Sequence, residues 1–306
     1  MKVLIVARYK SKGFAPFITE QADALRRLGS EIIYFPISGR GIKGYFGHLQ
    51  KLRKLIHDEH PDLIHAHFVF SGLLACMQKG VPVVITYHGS DINESRLFPL
   101  SKMAMRLSSL NVFVSRQTFE KAHCRRKAVI IPCGVDINDS QLIDKKTARE
   151  RMGLQEDVKY VLFAGPFNRP VKNPALAKET VSALKWEHVV LLELNGYTRE
   201  EVTLLLCAVD ALLMTSLNEG SPQIIKEALA CGCPIVSVDV GDVRERVSGI
   251  EGCYVSKHPD HNELSALLNR ALEFSGKTKG RQRLIDDGLD NRIIAKRLLS
   301  AYRTVL

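Results

Sequence analysis

No stretch of this 306-residue chain approaches the roughly 18 uncharged apolar residues that a membrane-crossing helix requires, and the opening MKVLIVARYK is too short for a signal peptide and is expected to form a first buried strand. The chain is therefore expected to stay in the cytoplasm. No G-x-G-x-x-G follows that first apolar run, which argues against a nicotinamide-dependent dehydrogenase. Cysteine is present seven times, an odd number, mostly singly within apolar or periodic segments. Around Cys231-Gly232-Cys233 no second Cys or His pair has zinc spacing, so free thiols are expected and neither a metal site nor a disulfide framework. Repeats and low-complexity segments are absent. Aromatic residues are few, at 7%, and are not interleaved with the basic ones, so nucleic acid is not expected as a partner despite a net charge of +10.

What is present is an ordinary globular composition, 45% apolar and 25% charged, over a length that suits two domains. Short apolar runs alternate with amphipathic stretches: KVLIVA, EIIYFPI, DLIHAH, VPVVITYH, NVFVS and AVIIPCG, then KYVLFAG, HVVLLELNG, ALLMTS, CPIVSVDV and GCYVS. That alternation predicts βαβ units and two doubly wound parallel sheets in succession, with a seam near residues 140 to 157. The expected division is 1–150 with a crossover helix at 290–306, and 151–289. The terminal helix carries Ile293, Ile294, Leu298, Leu299, Tyr302 and Val305 as its apolar stripe and is expected to pack back on the first domain. Charge is uneven. Residues 1–153 hold 24 Lys+Arg against 13 Asp+Glu and the remainder 19 against 20, so the first half is expected to meet something anionic, unless the excess serves solubility alone. The stretch SGRGIKGYFGH at 38–48 reads as a mobile basic loop.

Parallel sheets bind ligands beyond the carboxyl ends of their strands. With two sheets facing one another, the expected site is the cleft they share. ALLMTS, residues 211–216, supplies a strand that leads into SLNEGSPQIIKEALACGCPIVS, residues 216–237, in which LNEG is the loop beyond the strand; Ser221 is the expected N-cap and Pro222 the first helical residue. Free amides at that helix start, beside Gly220, suit a phosphate or a hydroxyl-rich group. Glu219 at the lip and Glu227 within the helix accept hydrogen bonds and cannot donate them, which suits sugar and ribose hydroxyls. The alternative is a surface carboxylate and a glutamate complementing the helix dipole.

The run EGSPQIIKEALACGCPIVSVDVGDVRE resembles the E-x7-E signature of the retaining GT-B-fold glycosyltransferases of glycosyltransferase family 4, and the similarity extends over most of the chain. The resemblance implies two Rossmann-like domains, an acceptor-binding first and a nucleotide-sugar-binding second. It implies that Glu219 contacts donor-sugar hydroxyls and that Glu227 binds the nucleotide ribose. HGSD at 88–91 is similar to the family's H-G-x-D loop, which implies a sugar-contacting His88 braced by Asp91; a lone histidine would otherwise read as structural. FAGPFNRPVKNPALA offers Arg169 and Lys172 between a strand and a helix, where cations can neutralise a departing diphosphate or simply face solvent. The family usually has an arginine directly after that glycine, where this chain has Pro166, so Arg169 is less firmly placed than Lys172.

Gly13, single where relatives have a glycine pair, is a weaker substrate-binding candidate, and Lys10 and Lys12 beside it are candidates for an anionic acceptor. His65 is expected in the core and His67 on the acceptor side. Cys133, in IIPCGVD, stands where the family has asparagine and is expected to shape the hinge. HVVLLELNGYTREEVTLLLCAVDALLMTS, residues 188–216, has room for one strand and helix unit where relatives usually have two, so Asn195, Gly196 and Tyr197 are offered for the base pocket and the nucleotide stays open. No D-x-D occurs, and that pattern holds a metal on the donor diphosphate in metal-dependent glycosyltransferases of the other common fold, so no metal or other cofactor is expected. The expected partners are a nucleotide-sugar donor (UDP or GDP), a glycan or lipid-linked acceptor, and an anionic membrane surface touched peripherally. A catalytically silent binding protein of the same fold and a sugar-nucleotide epimerase stand as alternatives.

Overall fold

A computed structural model of the protein describes residues 1–9, 13–38, 44–45, 47–137 and 143–306. The chain forms two units, Met1–Gly134 with Leu289–Leu306, and Val135–Gly288. In the first, β1 (Lys2–Arg8), β2 (Glu31–Ile37), β3 (Leu63–His67), β4 (Val83–Tyr87), β5 (Leu110–Phe113) and β6 (Ala128–Ile130) form one sheet in the order β2-β1-β3-β4-β5-β6. Its strand pairs are parallel. β3, β4 and β5 are buried along their whole length, as strands covered by helices on both faces must be, and this is why they read as mostly apolar runs without strict alternation.

The second unit repeats the design with β7 (Lys159–Phe163), β8 (Val189–Glu193), β9 (Ala211–Met214), β10 (Ile235–Ser237) and β11 (Cys253–Val255), again parallel, in the order β11-β10-β9-β7-β8. One strand and one helix, β8 and Arg199–Ala208, separate helix Pro174–Ser182 from β9. In each sheet the chain runs outward one way and then crosses back. The reversal falls between β1 and β3 in the first unit and between β7 and β9 in the second, which are the points where such sheets take ligands.

The boundaries differ from those expected. Helix Lys145–Met152, which a division at 150 would leave mostly in the first domain, belongs to the second, because buried Arg149 donates to Ala208 O at 3.0 Å and to Asp210 Oδ2 at 2.7 Å. The chain leaves the first unit at Gly134 and returns at Leu289. The two crossings lie side by side, since a Cβ on Gly134 would sit 2.5 Å from Asn291 Oδ1. The returning helix Asn291–Tyr302 packs against helix Pro16–Arg27, but on a face one position round from the expected stripe. Ile294, Ala295, Leu298, Ala301 and Tyr302 are buried, whereas Ile293 is 40% exposed. Two alanines on the buried face allow close helix approach, which a count of large apolar residues does not register.

Candidate active site

At the carboxyl end of β7 the chain passes through Gly165 into the 3-10 turn Pro170–Lys172. The loop beyond β9 binds this turn directly. Thr215 Oγ1 shares its proton between the carbonyls of Lys172 and Asn173, at 3.0 and 2.9 Å, and Leu217 N donates to Val171 O at 2.9 Å. Two segments whose Thr215 contacts span 42 and 43 residues of sequence thus become one platform, and on it Lys172 Nζ lies 2.7 Å from Glu219 Oε1, with both side chains largely buried. Gly165 makes room for this. A Cβ there would stand 2.9 Å from Lys172 Cγ, so the lysine stem lies across bare backbone on its way to Glu219. Arg169 is not part of the pair; it is exposed at the start of the turn.

Glu227 sits on helix Gln223–Cys231, 12% exposed at its side chain and 2.5 Å from Arg199 Nη1. Arg199 opens the helix after β8, whose start is fixed by a Thr198–Glu201 capping box. The expected base-pocket residues Asn195, Gly196 and Tyr197 form the exposed turn leading into it, with Gly196 at φ +85°. Glu193, at the end of β8, accepts from Phe167 N at 2.7 Å and so fixes the loop that follows Gly165.

The helix after Glu219 begins one residue later than expected, at Gln223, with Pro222 as N-cap. Ser221 is not the cap, because its hydroxyl donates to Asp242 Oδ2 at 2.8 Å. Asp242 is in turn held by Arg246 Nε at 3.0 Å. The neighbouring Gly241, at φ +59°, rests so closely on Gly220 that a Cβ would meet its carbonyl oxygen at 2.8 Å. The Glu219–Gly220–Ser221 loop is therefore clamped from behind.

In the first unit, His88 follows β4 and Asp91 braces it: the Asp91 carboxylate accepts from His88 N and from Val69 N, each at 2.9 Å. Burial pushes the Asp91 carboxyl up to about 6, against the pull of those amides. His65 is in the core, as expected, with burial pushing it down to about 3. His67 is equally buried, which corrects its expected place on an acceptor-facing surface; its Nδ1 lies 3.0 Å from His88 Nε2. Cys133, expected to act on a hinge, has its Sγ 3.9 Å from His88 Nδ1. Gly13 takes φ +104°, a conformation that suits glycine, and a Cβ there would meet nothing, so its requirement is conformational. Lys10, Lys12 and most of the basic 38–48 loop lie outside the described residues.

Among the described residues no group of three or more His, Cys, Asp or Glu is placed to hold a metal ion. Sequence reasoning missed Arg199, Glu193, Thr215 and Asp242. Only Arg199 had a signal, a cation at the start of a capped helix following a strand.

Two family models account for most of the chain: Glycosyltransferase Family 4 over residues 4–139, and Glycosyl transferases group 1 over residues 148–273. Both halves of the chain thus match glycosyltransferase models. A similar curated protein is the putative teichuronic acid biosynthesis glycosyltransferase TuaC of Bacillus subtilis, 27% identical over 215 residues, or 61% of this chain and 55% of that one. Another is the D-inositol 3-phosphate glycosyltransferase of Thermobispora bispora, 26% identical over 270 residues, or 69% of this chain and 62% of that one. The matches thus span less than two thirds of either relative. Among solved structures, sucrose-phosphate synthase from Thermosynechococcus elongatus aligns with a TM-score of 0.79 at 14% identity, covering 99% of this chain and 98% of that one. Anabaena Alr3699/HepE in complex with UDP aligns at 0.78 and 17%, covering 99% and 100%. At those identities the likeness is one of fold.

Proposed function

We propose that this glycosyltransferase takes a sugar from a nucleoside diphosphate, UDP or GDP, and transfers it with retention to a hydroxyl of a glycan or lipid-linked acceptor, without a metal ion. The observation that carries the reading is the Lys172–Glu219 contact, 2.7 Å, at the reversal point of the second sheet. A cation and a hydrogen-bond acceptor side by side match the two chemistries of a sugar diphosphate. Lys172 meets the phosphate oxygens while Glu219 accepts from sugar hydroxyls. Glu227, held by Arg199, is offered to the ribose. Solved complexes of the HepE fold neighbour with UDP and with UDP-glucose support such a donor. The name of the teichuronic acid relative supports a cell-surface polysaccharide as the product.

As the bond from the anomeric carbon to the phosphate oxygen breaks, its electron pair goes to the diphosphate. Lys172 and the amides at the start of helix Gln223–Cys231 stabilise that charge, with Arg169 as an exposed second cation. The acceptor oxygen bonds to the anomeric carbon, and its proton passes to the departing phosphate oxygen, so no side chain has to be a dedicated base. His88, on the first unit, takes the sugar-contacting role implied by the family resemblance.

The acceptor is assigned to the basic first unit, in a cytoplasmic protein that touches the anionic inner leaflet peripherally. No described helix is long and apolar enough to cross a membrane. The test is donor turnover by purified protein across UDP- and GDP-sugars, with and without chelator. Transfer or hydrolysis that survives chelation and falls about a hundredfold in Glu219→Ala is the expected result. Nucleotide binding with no turnover under any condition would leave a catalytically silent binding protein instead, and release of epimerised donor with no acceptor would mark an epimerase.

A further inference from the structure

Three imidazoles lie in a row at the carboxyl ends of β3 and β4, and the proposed reaction uses only His88. The His65 and His67 rings are 4.4 Å apart and those of His67 and His88 5.3 Å. His65 has both nitrogens engaged, Nδ1 with Tyr302 OH and Nε2 with Thr86 Oγ1, each at 2.7 Å. His67 differs. Its Nδ1 faces His88 Nε2 at 3.0 Å, while its Nε2 is buried with no hydrogen-bond partner. The Phe17 and Phe68 rings also pack on His88, 4.7 and 4.5 Å away. Phe68 is held at φ +71°, a strained backbone for a bulky aromatic. It stays there because both flanking amides are pinned, Phe68 N on Thr86 O at 3.0 Å and Val69 N on the Asp91 carboxylate at 2.9 Å. That strain turns the Phe68 ring onto His88 directly after His67 has been directed inward.

One proton must sit between His67 Nδ1 and His88 Nε2. If His88 donated it, neutral His67 would carry its own proton on Nε2, a buried N–H with no acceptor, an arrangement that folded proteins rarely tolerate. If His67 donates, no donor is stranded. Burial and the two neighbouring rings hold His67 neutral, in keeping with this.

We infer that His67 is a positioning residue for His88: it donates through Nδ1–H to His88 Nε2 and so holds His88 as the Nδ1–H tautomer, in one orientation against His67 and the two phenylalanines. His88 then offers a donor, not an acceptor, on the nitrogen that faces Cys133 Sγ, a weak acceptor that a ligand oxygen outcompetes. The tautomer follows from the packing alone; only its catalytic consequence rests on His88 contacting the sugar.

The test is long-range proton–nitrogen NMR of histidine-labelled protein at neutral pH, with His88 assigned by its loss in His88→Asn. The expected spectrum has both His67 and His88 as Nδ1–H tautomers. In His67→Phe the His88 signals shift or split, and kcat/KM for transfer falls on the order of tenfold. His67→Asn, whose amide N–H falls near the position of Nδ1, restores most of the rate. A wild-type His88 that is an Nε2–H tautomer or a mixture overturns the inference, as does a His88 spectrum unmoved by His67→Phe. The wild-type spectrum alone decides the matter if His67→Phe does not fold. If the tautomers are as stated but neither wild type nor variants transfer sugar, the functional reading fails and the positioning claim stands.

Discussion

Gly165 acts through the side chain it does not have. The Lys172 stem crosses it at a distance where a Cβ would come within 2.9 Å of Cγ and 3.2 Å of Cδ and Cε. A flexible lysine can move aside at small cost to the fold, but then its ammonium leaves Glu219. Gly165→Ala is therefore expected to lower kcat/KM for donor about tenfold or more while leaving the thermal midpoint nearly unchanged, which paired kinetics and calorimetry would check. Protonation makes a second prediction at this scale. His65, pushed to about 3 from 6.5, and His67, lowered with it, favour folding above pH 6.5 and withdraw that contribution as pH falls. Asp91 works the other way: raised from 3.8 to about 6, it favours folding at low pH and loses that contribution as pH rises through 6. Between pH 7 and pH 5 His65 costs about 2 kcal/mol, His67 acts in the same direction and Asp91 returns about 1 kcal/mol, so the first unit should lose stability on acidification. Urea unfolding of wild type at the two pH values, beside His65→Gln, should show the wild-type loss and a smaller one in the variant. Equal stability at both pH values in wild type would contradict the account.

Two loops far apart in sequence make the platform that carries Lys172 and Glu219, and Thr215 is the fastening between them, its hydroxyl reaching the carbonyls of Lys172 and Asn173. Thr215→Val keeps the shape and removes the donor, so it should cost about 1 kcal/mol of stability and weaken nucleotide-sugar binding several-fold, as titration calorimetry would read. Binding equal to wild type would mean that the turn is held without it. Elements were the most legible level of the sequence. Most strands announce themselves as short, largely apolar runs because the sheets are covered over much of their faces. Helix starts and faces were less legible. Ser221 has the chemistry of an N-cap, yet Asp242 competes successfully for its hydroxyl, and sequence spacing does not show that competition. The terminal helix turned its alanines inward because a neighbouring helix comes close, which again is a tertiary fact.

At the scale of the molecule, the sequence made two Rossmann-like sheets and a returning helix legible, but not where the units part. Arg149 commits its helix to the second unit through a buried ion pair with Asp210, 61 residues away. The four side chains of the proposed donor site, Lys172, Glu219, Glu227 and Arg199, all belong to Val135–Gly288, a continuous segment. The glutamates were legible by their spacing and Lys172 by its junction, whereas Arg199 is paired with Glu227 only by the packing of two helices. The central claim is that Lys172 and Glu219 together receive the phosphate-linked end of an activated sugar. Titration calorimetry of wild type and Lys172→Met, with the nucleoside diphosphate chosen by the donor screen and with its parent nucleoside, tests that most directly. Wild type should prefer the diphosphate by at least about tenfold, and Lys172→Met should lose most of that preference while binding the nucleoside as before. A preference unchanged in Lys172→Met would contradict the claim.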